Sequence, residues 1–265
     1  MEKLINGSSI EQLTESLANI LQVSTPAIHD FVQSQQYRIT TKGNGIYYDN
    51  LAFEDIAEHF QMEIDNLSID GITVSHVSAI LDPQSFYDHG MLSLKDLFVI
   101  ETPFKAFLRD FGIDLLVEDN NSLSIRRGDC KVSSGHLNLR MTGDRCINGF
   151  LFGDNPETID DVEEMLKCPE FVLDIGRHIF LSGDLEEAWK SRATPSVITF
   201  KALFSELDAS TFDTEDSDEA KSKLITAAFE KLLFHFQGCD DNNPMIYLKE
   251  EVSIGADRIL SIREI

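Results

Sequence analysis

The run GITVSHVSAI, residues 71–80, follows a stretch whose apolar positions are spaced for helices, and this switch of period constrains the fold more than any other feature. A helix repeats every 3.6 residues and a strand every two, so a segment patterned for one does not settle as the other. Upstream, a serine cap opens SSIEQLTESLANIL, with Ile10, Leu13, Leu17, Ile20 and Leu21 at helical spacing. A break at VSTP follows, then a second helix through Ile28 and Phe31, and LAFEDIAEHFQMEI extends the helical texture. The 71–80 run holds Ile72, Val74, Val77 and Ile80, and LDPQSFYDHGMLSLKDLF after it reads as a loop and helix. ETPFKAFLRDFGI predicts a capped amphipathic helix ending at Gly112. From Asp114 to Gly153 short apolar pieces alternate with Gly, Asn and Asp, the mark of strands and hairpins. Helical texture returns in TIDDVEEMLKCPEFVLDIGRHIFLSGDLEEAW, and PSVITFKALF is the clearest strand in the chain. AKSKLITAAFEKLLFHFQ predicts a long helix, and NNPMIYLKEEVSIGADRILSIREI two closing strands around a Gly-Ala-Asp turn. The expectation is an α+β protein: a helical N-terminal region over residues 1–70, then a mixed-sheet domain over 71–265 completed by the C-terminus.

Charge narrows the partners. Twenty-two Lys and Arg stand against 46 Asp and Glu, a formal charge of -24, and SELDASTFDTEDSDE carries seven acids and no base as an exposed loop. Such a field repels nucleic-acid phosphates and anionic lipid over about 8 Å at physiological salt. A phosphate ligand therefore needs a local basic patch. Two short N-terminal helices with a tight turn could suggest helix-turn-helix DNA binding, but the segment is nearly devoid of positive charge, which argues against it.

Cys130, Cys146, Cys168 and Cys239 show neither C-x-x-C spacing nor a zinc signature. MEKLINGSSI has no apolar signal-type stretch, and no apolar run approaches membrane-spanning length. These features predict a cytosolic protein with reduced thiols and no membrane partner. The dinucleotide-binding G-x-G-x-x-G, the phosphate-binding G-x-x-x-x-G-K-[ST], G-x-S-x-G and H-E-x-x-H are all missing; GNG at 43–45 lacks the third glycine. A nucleotide, if bound, is held by a less regular device.

Three features remain. His76 stands two residues before Ser78 on a predicted strand, so both side chains point to the same face. Phe150 and Phe152 in RCINGFLFGD likewise share a face beside Gly149 and Gly153, and KEEV places Glu250 and Glu251 before Val252. A histidine and a hydroxyl on one strand, aromatic faces on another and a glutamate on a third suit chemistry on an N-glycosidic bond. Each also has a plain structural reading: a core histidine, packed aromatics, a solvated glutamate.

HVS in a first strand followed by GMLSL resembles the H-x-[ST] start of ADP-ribosyltransferase folds. PSVITFKALFSELD looks like their central strand, and EEVSIGADRIL like their glutamate strand. Over about residues 72–265 the set is similar to ADP-ribosyltransferase-like toxins of bacterial toxin–antitoxin and anti-phage systems. The resemblance implies a split mixed sheet, NAD as cofactor, transfer of ADP-ribose to a macromolecule, and an antitoxin or chaperone as a possible partner. It also implies roles: His76 holds the nicotinamide-side ribose, Ser78 supports it, and Glu251 polarises the ribose 2'-hydroxyl. For the family's middle motif Phe150, Phe152, Tyr87 and Tyr247 are all open. On the strand pattern expected here Glu250 faces the core with Val252 and Ile254, and Glu251 the cleft.

Residues 121–147 are the one basic stretch, with Arg126, Arg127, Lys131, Arg140 and Arg145 against Asp129 and Asp144, a net of +3. Arginine binds phosphate bidentately; the plain reading is a hairpin carrying exposed arginines, and if the stretch is functional it meets the cofactor pyrophosphate, with Arg140 as a ligand, or an RNA or single-stranded DNA target. Net charge favours a protein target. The competing class is a catalytically silent acidic interaction module, an inhibitor or nucleic-acid mimic.

Overall fold

The computed structural model describes residues 2–42, 45–119, 122–132, 134–143, 146–159, 162–180, 183–239 and 243–265. In chain order the elements are β1 (Leu4–Ile5), α1 (Ile10–Leu21), α2 (Thr25–Ser34), β2 (Ile39–Lys42), β3 (Gly45–Tyr48), α3 (Phe53–Phe60), β4 (Gly71–Ile80), α4 (Gln84–His89), α5 (Leu94–Val99) and α6 (Pro103–Asp110). Then come β5 (Ile113–Val117), β6 (Leu123–Arg127), β7 (Cys130–Val132), α7 (Gly135–Gly143), β8 (Asn148–Phe150), α8 (Val162–Lys167) and α9 (Glu170–Ile175). A π-helical turn (Gly176–Phe180), α10 (Asp184–Lys190), β9 (Thr194–Leu203), α11 (Ser217–Gln237), β10 (Met245–Tyr247) and β11 (Ile259–Glu264) complete the order. The fold is mixed α+β with antiparallel sheets. One sheet takes its strands in the order β10-β8-β4-β9-β11, with β1 also on β4. Among the described residues no helix is long and apolar enough to cross a membrane.

The chain divides into two compact units. The first comprises residues 1–74, 150–154 and 202–246, so the N-terminal helices do not stand as a body of their own but share a unit with α11. Ser9 Oγ accepts the Gln12 N–H and starts α1, and Leu13, Leu17 and Ile20 then turn inward. Ser24 caps α2, with a proline in its first turn. The ring of Phe31 meets Phe229 of α11 edge-on at 5.2 Å and Phe60 of α3 at 5.3 Å. Leu224, Ile225, Ala228, Leu232 and Leu233 give α11 its buried stripe. In the same unit the Tyr48 hydroxyl donates to Glu230 at 2.7 Å and accepts from the Leu51 N–H. Burial, and then the Glu230 bond, push the Tyr48 phenol above its ordinary range.

The second unit comprises residues 75–149, 155–201 and 247–265. Here β11 runs antiparallel to β9, from Ile259 opposite Phe200 to Glu264 opposite Ser196. The antiparallel sheet β5-β6-β7 lays Ile113, Leu115, Leu123 and Ile125 into a core with Phe107, Leu108, Val172 and Trp189. Trp189 is met edge-on by Phe107 at 5.0 Å and Phe104 at 5.8 Å. Two segments differ from the sequence expectation. Residues 135–143 form α7 rather than part of a hairpin, because Leu137 and Met141, one turn apart, are both buried. KEEV is a turn and not a strand: Glu251 has φ 62, in the left-handed region, and an isolated bridge to Met91 holds Ile254.

Candidate functional site

Within the second unit a cavity of about 360 Å³ opens beside the end of β4. That volume lies in the range of small-ligand pockets, about 300–1,000 Å³. His76 and Ser78 both line it, as their shared strand face predicts. Both are half-buried, while Ser75, Val77 and Ala79 between and beside them are buried. The wall is largely apolar, with Phe86, Met91, Leu94, Phe104, Phe171 and Trp189 among its residues.

His76 Nδ1 lies 2.7 Å from the Asn148 carbonyl oxygen. A carbonyl only accepts, so Nδ1 carries the proton of a neutral ring and Nε2 is left as an acceptor. Burial holds the imidazole below its ordinary pKa of 6.5, outweighing the raising effect of the Asn148 carbonyl. The ring is therefore pre-set to accept a hydrogen bond from a hydroxyl at neutral pH.

The charged end is built by two helices. On α7, His136 and Arg140 are one turn apart, and on α9 so are Glu170 and Asp174. Arg140 Nε donates to Asp174 Oδ2, and Arg140 Nη2 lies 2.9 Å from Glu170 Oε2. His136 Nε2 is 3.3 Å from the other Asp174 oxygen. Arg140 and Glu170 line the cavity, and Asp174 is 5% exposed behind them. Arg140, expected as a cofactor ligand, lines the cavity, whereas Glu170 and Asp174 were not singled out by the sequence. Their i,i+4 spacing was the available signal. Asp82 also lines the cavity and accepts the Gln84 N–H at 2.9 Å.

Other expected residues lie elsewhere. Glu251 is exposed on its turn, its Oε2 3.3 Å from Lys95 Nζ, and it does not line the cavity. The strand parity that set Glu251 apart from Glu250 does not exist, because no strand forms there. Phe150 and Phe152 are core residues of the first unit, 5% and 1% exposed, and not part of the cavity wall. The Lys231 ammonium sits 5.4 Å from the centre of the Phe152 ring and 3.1 Å from Asp154, which explains that ring by packing. Tyr87 and Tyr247 do not line the cavity either.

The basic hairpin is largely occupied by its own acid. Glu118 lies 3.3 Å from Arg126 and 3.6 Å from Lys131. A hydrogen bond from Ser124, then one from Arg126, holds its carboxyl below the usual carboxylate range. Arg145 lies outside the described residues. The four cysteines are free thiols; burial pushes Cys168 up to about 12. Among the described residues no group of three or more His, Cys, Asp and Glu is placed to hold a metal. Comparison with protein-family models, with curated proteins and with solved structures gives no match.

Proposed function

We propose that the cavity of the second unit binds NAD through its nicotinamide–ribose half and that the protein transfers ADP-ribose to a macromolecule. The observation that carries this reading is the pair His76 and Ser78, presented from one strand face to an apolar cavity of about 360 Å³. The residues present fit such a ligand. His76 Nε2 accepts from a ribose hydroxyl, and Ser78, whose hydroxyl lies 3.5 Å from the Ala79 carbonyl oxygen, stands beside it on the cavity wall. Phe104 and Phe171, whose rings stack at 6.2 Å, offer apolar faces to a flat ring. NAD supplies, when bound, a ribosyl carbon joined to a positively charged leaving ring. Asp82 and Glu170 are the carboxylates among the described lining residues. A protein target agrees with a net charge of -24 better than a nucleic acid does.

One observation favours a second reading, a ligand-binding module without turnover: Glu251 stands on an exposed turn, paired with Lys95, instead of on the cavity wall. Calorimetric titration with NAD, paired with chromatographic detection of nicotinamide, separates the two. Binding with nicotinamide release supports the transferase; binding without release selects the module; no binding removes both. His76→Ala is expected to weaken NAD about tenfold, the scale of one good hydrogen bond to a buried acceptor.

A further inference from the structure

We propose that Glu170 is an internal stand-in for a ligand phosphate: it pairs with Arg140 at the cavity and is displaced when a nucleotide binds, while Asp174 keeps the guanidinium in place. This rests on the reading of the cavity as a nucleotide site. Among the described residues two carboxylates of different character pair with Arg140. Asp174 is 5% exposed and shares its second oxygen with His136, so its orientation is fixed from two sides. The Glu170 side chain is 54% exposed and lies 2.9 Å from Arg140 Nη2. Losing a solvated carboxylate costs little, because water screens an exposed pair. Losing Asp174 would strand a buried charge, which costs several times more.

A guanidinium anchored at Nε by a buried acid, on a side chain that lines a cavity, suits a planar or tetrahedral anion, which a guanidinium grips with two N–H groups. Phosphate offers more acceptor oxygens and more charge than Glu170 does. In a protein of net charge -24, a carboxylate parked on the cation also keeps the cavity from taking up weak anions. The bland alternative is a helix–helix ion pair joining α7 and α9, with no bearing on ligands.

The test compares NAD with nicotinamide riboside, which keeps the ring and ribose and lacks the phosphates. In Glu170→Gln the competitor for Arg140 loses its charge, and NAD is expected to bind about threefold to tenfold more tightly while the riboside changes by less than about twofold. Arg140→Lys keeps a positive charge beside Asp174, which protects the fold, but gives up the fork; NAD is expected to weaken about tenfold and the riboside little. If Glu170→Gln weakens NAD or leaves it unchanged while both ligands still bind, the stand-in is overturned and the cavity reading survives. If the wild-type protein binds neither ligand, both are overturned.

Discussion

Burial of the imidazole at position 76 fixes more than a hydrogen-bonding direction; it couples stability to pH. The folded protein holds His76 below its ordinary pKa of 6.5, with Asn148 accepting from Nδ1. Above 6.5 the ring is neutral in both folded and unfolded chains and costs nothing. As pH falls through that value the unfolded chain takes up a proton that the folded ring refuses, so stability is lost until the folded pKa is reached. His76→Gln is expected to remove this component. The drop in melting temperature between about pH 7.5 and about pH 5.5 should be smaller in the variant than in the wild type. An equal drop would show that other groups carry the dependence. At position 251 the expectation is a null effect: the side chain is exposed, pairs with a half-buried Lys95 and stands off the cavity wall, so Glu251→Gln should change NAD affinity by less than about twofold. A tenfold loss would return the residue to the site. The shared face of His76 and Ser78 was legible from their spacing, and the structure sets both, with Arg140, on the cavity wall. Glu251 was not correctly legible, because its placement depends on partners remote in sequence.

Elements with a strong period were readable, and those shaped by tertiary contacts were not. The β-branched runs in β4 and β9, the Thr102 cap of α6 and the apolar stripe of α11 each announce themselves locally. The segment after β10 imitates a strand through Val252 and Ile254, yet it is held as a turn by distant groups. Ser253 Oγ donates to Asp96 at 2.6 Å and accepts the Ser93 N–H at 2.7 Å, and Ile254 exchanges backbone bonds with Met91. α7 was hidden by glycines at both its ends, although Leu137 and Met141 mark a helical face. The turn between α4 and α5 carries the tightest backbone requirement in this region. Gly90 has φ +77, and a Cβ there would meet the Ile254 carbonyl oxygen at 1.9 Å. Gly90→Ala must therefore adopt a left-handed conformation and push the terminal segment off Met91. A destabilisation of about 3 kcal/mol or more is expected in urea unfolding. A cost below about 1 kcal/mol would show that the segment slides away freely.

At the scale of the whole molecule the dominant fact is a net charge of -24, and it acts on both stability and partners. Ion pairs such as Lys167 with Glu163 and Arg192 with Asp110 are exposed and individually weak, whereas the surplus of acid repels itself everywhere. Raising NaCl from about 20 mM to about 300 mM shortens the screening length from roughly 20 Å to roughly 6 Å, so the melting temperature is expected to rise with salt. A fall would mean that attractive pairs outweigh the surplus. The same balance bears on nucleic-acid binding. Binding of a nucleic acid without sequence preference comes almost wholly from Lys and Arg releasing counterions from phosphate. Arg126 and Lys131 already share Glu118, and Arg140 is held by Glu170 and Asp174, so the basic stretch has little charge to offer against the surrounding acid. A fluorescent single-stranded RNA or DNA of about 20 nucleotides should therefore show no binding tighter than about 0.1 mM at about 150 mM salt, the weak limit of ordinary non-specific association. Micromolar binding, weakened by Arg126→Glu and steeply reduced by salt, would overturn this and make the β6–β7 hairpin a nucleic-acid contact.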